Sequence, residues 1–107
     1  GWSGDNGDPD NFFANLLSCD AVAGGGNFAR WCNQEYDGII KKAASTAQKA
    51  DRTKLYEKAQ EIVKEEAVWV PIAHSVRFEP VRKSVVGYKT AAVPTNHYFS
   101  KVDVTGK

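Results

Sequence analysis

The chain has no methionine, and among its 107 residues it holds two histidines and two cysteines. Cys19 and Cys32 are too far apart for a Cys-x-x-Cys redox or zinc motif, and only His74 and His97 could assist them, so no metal site is expected. An excess of charge of either sign is also missing. Fourteen Lys and Arg stand against 13 Asp and Glu, a formal net charge of +1, and no basic stripe interleaved with aromatics appears, which argues against nucleic acid as a partner. Apolar runs are short, so nothing in the sequence reads as a membrane span. No internal repeat or low-complexity segment stands out, and no Ser-His or Cys-His nucleophile motif is present. Asp5 and Asp8 with His74 could be drawn as an acid, a base and a proton carrier, but a helix cap already uses Asp8; neither an enzyme nor a cofactor is expected.

What is present is concentrated at the start. Three glycines, three aspartates and a tryptophan fall within Gly1–Asp10. Asp8 before Pro9 reads as an N-cap followed by proline at the first helical position, and Asp10 falls in the first turn, where the helix dipole favours negative charge. Asp5 lies upstream of that cap, between Gly4 and Asn6-Gly7. Two readings stay open for it: an ordinary turn aspartate, or a fixed anion beside an aromatic wall, Trp2, placed to receive a ligand's ammonium group.

From Pro9 to Ser18, Phe12, Phe13, Leu16 and Leu17 recur at helical spacing and predict one apolar face. Residues 19–32 form a glycine-rich excursion that Phe28 and Trp31 are expected to fold back onto the core. Asn33 is positioned to cap a second helix with Glu35 and Asp37 in its first turn and Tyr36, Ile39, Ile40, Ala43, Ala44 and Ala47 inward. Asp51 is expected to cap a third helix burying Leu55, Tyr56, Ala59, Ile62 and Val63, with a solvated charged face opposite. At Ala67 the period changes. Residues 68–74 read as a strand with Trp69 in the core and Pro71 confining it to an edge. Val76 and Phe78, then Val85, Val86 and Tyr88, then residues 97–104 suggest further short strands. His74 is read as a hinge histidine satisfied by backbone groups, and Arg82 and Lys83 as exposed near a turn.

The pattern Trp2-x-x-Asp5-x-x-Asp8-Pro9 followed by Asn11-Phe12-Phe13 resembles the periplasmic dipeptide-binding proteins, in the peptide and nickel class of ABC-transporter solute-binding proteins. The resemblance continues through Cys19, Arg30-Trp31-Cys32, Tyr56-x-x-Ala59-Gln60, Ala73-His74-Ser75, Phe78-Glu79-Pro80-Val81-Arg82-Lys83 and Gly87-Tyr88. It implies an α/β class, here an α+β fragment of a two-lobed fold, with about three helices followed by several short strands. Residues 1–75 would belong to the ligand-binding lobe carrying the amine-binding aspartate, and 76–107 would return to the other lobe, so strands after His74 are expected to lack sheet partners.

By the same resemblance, Asp5 pairs with a peptide's free α-amino group, Trp2 lies beside it, and the backbone around Ser3 and Gly4 bonds an extended ligand. The carboxylate acceptor would come from an earlier part of a longer protein, of which this chain is read as the C-terminal part. The implied function is capture of dipeptides or short peptides in the periplasm, by a free or lipid-anchored parent, for the membrane subunits of an ABC importer. Related ligands include longer oligopeptides, haem, glutathione, nickel complexes and antimicrobial peptides, and Asp5 favours an amine-bearing peptide. In an oxidising compartment a Cys19–Cys32 bridge would tie down Gly24-Gly25-Gly26 and contribute roughly 3 kcal/mol by the chain-entropy model; a reduced cytosolic pair is the other reading. The alternative function is a secreted, disulfide-held protein interaction module without a small ligand. For the chain alone, exposed strand edges predict self-association.

Overall fold

The computed structural model describes residues 2–93 and 96–106. They divide into two units, one comprising Asp8–Pro71 and the other Gly1–Gly7 with Ile72–Lys107.

The first unit is helical, with α1 Asp10–Leu17, α2 Ala21–Gly24, α3 Gln34–Ala44 and α4 Lys49–Glu65. The start of α1 follows the expected chemistry, shifted by one residue. Pro9 occupies the capping position with helical backbone angles, and the Asp8 carboxylate accepts the Asp10 N–H at 2.9 Å. Leu16 and Leu17 are buried and Phe13 packs against the core. Phe12, expected on the same face, is exposed. Ser18 ends α1 and begins α2: its hydroxyl donates to the Ala14 carbonyl at 2.6 Å and accepts the Ala21 N–H at 3.1 Å.

The excursion between the cysteines is closed by a Cys19–Cys32 disulfide with Cα atoms 4.5 Å apart. Across its interior, Asn27 donates through Nδ2 to the carbonyls of Ser18, at 3.0 Å, and Trp31, at 2.8 Å. Gly26 is where the loop touches α1, since a Cβ there would fall 2.7 Å from Leu16 Cδ2. Trp31 does pack against the core. Phe28 does not: it is 92% exposed, because Asn27 and Gly26 already fill the inner side of the loop. The one-turn α2 is a helix beyond the three expected.

Asn33 caps α3 as expected, its Oδ1 accepting the Tyr36 N–H at 3.0 Å. Tyr36, Ile39, Ile40 and Ala43 form the buried stripe, whereas Ala44 and Ala47 are exposed. Ala44 is a helical step off the stripe, and Ala47 lies beyond the end of the helix, where the periodicity no longer applies. A short turn through residues 45–48 joins α3 to α4, and the two helices pack together as an αα-hairpin. Its small side chains Ala43 and Ala59 are wholly buried. Gln48, not Asp51, precedes α4. Lys49 and Ala50 are good helix formers that extend the helix backwards, leaving Asp51 inside the first turn, where the helix dipole favours its negative charge.

Rings of different elements meet in the core, with centroids 5.2 Å apart for Phe13 and Tyr56 and 4.9 Å for the edge-on pair Trp31 and Tyr36. The end of α4 is tied back to the disulfide loop. Glu66 accepts the Trp31 indole N–H through Oε2 and the Asn33 amide through Oε1, each at 2.5 Å. Asp37, expected only as a first-turn acid, is buried and accepts the Cys19 N–H at 3.1 Å.

The second unit contains β1 Val85–Val86 and β2 Asp103–Val104, antiparallel, with Val85 opposite Val104 and Val86 opposite Asp103. Gly87 permits the turn after β1: its φ is +76°, and a Cβ would come 1.9 Å from the Lys101 carbonyl oxygen. Glu79 accepts the Tyr88 hydroxyl and pairs with Arg77 at 2.6 Å. The Tyr88 and His97 rings flank Phe99, with centroids 6.2 and 5.9 Å away.

The strands expected over 68–74 and 76–79 are not formed among the described residues, nor do Tyr88 or residues 97–99 join a ladder. Val70, Ile72, Val76 and Phe78 are exposed, and Trp69, expected in the core, is 43% exposed. Backbone in this region is extended by composition, but a strand needs a neighbour to receive its hydrogen bonds. The α+β class holds, with four helices and a two-stranded sheet among the described residues.

The change of period at Ala67 has a clear local cause. The Val68 N–H bonds the Val63 carbonyl and the Ala67 N–H that of Lys64, each at 3.2 Å, the bonding pattern of a Schellman motif. Ala67 takes the left-handed position with φ 49°, which glycine fills without steric cost. Ala67→Gly is expected to stabilise the chain by about 1 kcal/mol, relief of strain exceeding the added freedom of the unfolded chain. Urea unfolding of the two proteins, showing a higher midpoint with an unchanged slope, checks this.

Candidate functional site

The opening segment runs without regular structure through residues 2–4 and bends at residues 5–7. Gly4 is buried, whereas Trp2, Ser3 and Asp5 are exposed. The segment therefore presents an indole and a carboxylate to solvent on either side of a buried glycine. These are the groups that the sequence reading assigns to an amine-bearing ligand, and all four belong to one compact unit with residues 72–107.

Asp8 is committed elsewhere. Besides the Asp10 N–H, its two oxygens accept from Nη2 of Arg52. The guanidinium lies over the Tyr56 ring, 5.4 Å from the centroid, and Nη2 is 3.4 Å from the Tyr56 hydroxyl. The Arg52 hydrogen bonds, followed by the Asp10 N–H, hold the Asp8 carboxyl below the usual carboxylate range. In turn the Arg52 pKa is raised, chiefly by Asp8. Sequence reasoning identified the cap but missed Arg52. The available signal was the i,i+4 spacing of Arg52 and Tyr56, which places a cation over an aromatic on one helix face.

His74 is exposed. His97 contacts the Tyr88 hydroxyl through Nδ1 at 3.5 Å and stacks on Phe99. Among the described residues no three His, Cys, Asp or Glu side chains cluster to hold a metal ion. No helix is long and apolar enough to cross a membrane.

No protein-family model matches the chain. Individual proteins do. It is 46% identical over 99 residues to di/tripeptide-binding protein 1 of Pseudomonas aeruginosa strain UCBPP-PA14, covering 92% of this chain and 18% of that protein. With the dipeptide-binding protein of Escherichia coli K12 it shares 45% identity over 104 residues, 97% of this chain and 19% of the relative. Among solved structures, the dipeptide-binding protein of Pseudoalteromonas sp. SM9913 in complex with Met-Leu superposes with a TM-score of 0.79 at 36% identity, covering 96% of this chain and 20% of that one. The chain thus spans only 18% to 20% of the length of these relatives.

The depressed Asp8 carboxyl sets a pH dependence. A carboxylate whose pKa is lower folded than unfolded contributes stability that is complete above the unfolded value and is lost as pH falls through the folded one. Thermal melts followed by circular dichroism below about pH 4 should show the parent losing stability with acid more steeply than Asp8→Asn, which keeps a capping oxygen but no titratable group. Parallel acid limbs would contradict the assignment.

Proposed function

We propose that this chain is part of a solute-binding protein of the peptide-binding kind, and that the full-length protein carrying it captures dipeptides or short peptides in the periplasm for the membrane subunits of an ABC importer. The observation that carries the reading is the exposed pair Trp2 and Asp5 around buried Gly4. An ammonium arriving at this segment finds a carboxylate in Asp5, a flat apolar wall in Trp2, and backbone at Ser3 and Gly4 that can bond an extended peptide in the manner of strand addition. The role is binding without chemistry. The relatives support it by what they bind: one solved neighbour holds Met-Leu and a periplasmic binding protein of Helicobacter pylori holds the peptide STSA. On this reading residues 1–75 belong to the ligand-binding lobe and 76–107 return to the other.

Removing one partner of a buried ion pair costs about 3 to 5 kcal/mol, because the surviving charge stays buried. In the full-length protein Asp5→Asn should therefore weaken dipeptide binding by roughly two to three powers of ten. Isothermal calorimetry tests this, and unchanged affinity removes Asp5 as the amine anchor.

For the chain alone, we propose self-association through the unpaired extended segment with its exposed Val70, Ile72, Val76 and Phe78. Sedimentation equilibrium should give a mass that rises with concentration; a monomer at every concentration would refute it.

A further inference from the structure

Six asparagines are spread along the chain, and Asn6 alone among them precedes a glycine. Asn6 and Gly7 are both exposed and lie in the bend over residues 5–7. The local fold does not require that glycine. Positive φ occurs at Gly87 and Gly106 and not at Gly7, and a Cβ built on Gly7 would meet nothing within 4 Å. The Gly7 nitrogen is therefore approached through open space, with no side chain of its own to hinder it.

An asparagine followed by an unhindered nitrogen can react with it. The Gly7 N–H gives its proton to solvent base, and the nitrogen attacks Cγ of the Asn6 carboxamide. A C–N bond forms, the bond from Cγ to the amide nitrogen breaks, and that nitrogen leaves as ammonia. Water then opens the resulting cyclic imide at either carbonyl, giving aspartate or isoaspartate. Water enters, ammonia leaves, and nothing is oxidised or reduced.

Helical backbone blocks this chemistry, because the next N–H is already bonded to the preceding turn and the side chain is held away from it. Asp37-Gly38 carries the acidic form of the same motif, but it lies inside α3, with Asp37 buried and accepting the Cys19 N–H at 3.1 Å. Asn11 and Asn15 lie in α1, Asn33 caps α3, and Asn27 is buried with Nδ2 bonded to two carbonyls. Asn96 is exposed, but a ring follows it at His97. Asn6 has contacts of its own. Contacts of an exposed bend open at little free-energy cost, and the attack needs only a transient approach.

We propose that Asn6 is a modification site, converted without an enzyme to aspartate and isoaspartate by attack of the Gly7 nitrogen. Either product sets a second carboxylate beside Asp5, and isoaspartate adds a methylene to the main chain of the same segment. The conversion does not depend on what Asp5 binds.

The test is incubation of the full-length protein at neutral and at mildly alkaline pH, followed by peptide mapping in a mass spectrometer with fragmentation that separates aspartate from isoaspartate. Product at Asn6 should accumulate with time, faster at the higher pH because the attacking nitrogen must lose its proton, and with isoaspartate in excess. Asn11, Asn15, Asn27 and Asn33 should remain amides over the same interval. Gly7→Ala, which the open space around Gly7 accommodates, should slow the conversion severalfold. Asn6 left intact in the folded protein, Asn6 converted no faster than Asn15, or a rate unchanged by Gly7→Ala overturns the proposal.

Discussion

Tyr36 is the constraint on which the helical unit depends. Its side chain has no exposed surface, and its hydroxyl donates to the Phe13 carbonyl at 3.0 Å, so a polar group is taken into the core and satisfied there by backbone of another helix. Burial above all, with nearby Asp37 adding to it, pushes the phenol pKa far up. Trp31 stands edge-on to one side of the ring and Phe13 stacks on it, with centroids 4.9 and 6.3 Å away. The disulfide loop, α1 and α3 are thus held to a common point, and α4 adds Ala59 and Tyr56 to the same cluster. A phenol in this place specifies more than a phenylalanine would: the register of α1 against α3 is fixed by a directed bond as well as by volume.

Much of this was legible in the sequence because it is local. Asn33, the Asp8-Pro9 pair and the 3.6-residue recurrence of Tyr36, Ile39, Ile40 and Ala43 are signals carried within a few residues, and α1 and α3 follow from them, as α4 does from the recurrence of Leu55, Tyr56, Ala59, Ile62 and Val63. The interactions that fasten these elements to each other are not local. Glu66 reaches Trp31 across 35 residues and Arg52 reaches Asp8 across 44. In the sequence Glu66 is one more charge on a helix end and Arg52 one more cation on a wet face. The short α2 escaped for a related reason: glycines end it, and side chains outside the helix hold it, Ser18 at its start and Asn27 across the loop.

The extended region is a different kind of shortfall. Alternation of Val76 and Phe78 with Arg77 and Glu79 describes a backbone that can enter a sheet, whereas a strand is a relation between two backbones. Where a partner is present, as for Val85 and Val104, the ladder forms even over two residues. Where none is described, apolar side chains such as Ile72 and Phe78 remain exposed. The composition of residues 68–79 was a fair guide to conformation and a poor one to pairing.

The candidate site was legible by subtraction: of the three acids near the start, two had structural tasks. Arg52 adds a second structural task to Asp8, since both of its oxygens accept from Nη2. Two unit charges 4 Å apart interact by about 1 kcal/mol in water and about 4 kcal/mol at an effective dielectric of 20. An exposed Asp5 therefore supplies the sign of the selection, and surroundings that exclude water are needed for its strength. On the proposed reading, selectivity for a free peptide amine takes its sign from Asp5 and its strength from the desolvation of that carboxylate when the rest of the protein covers it.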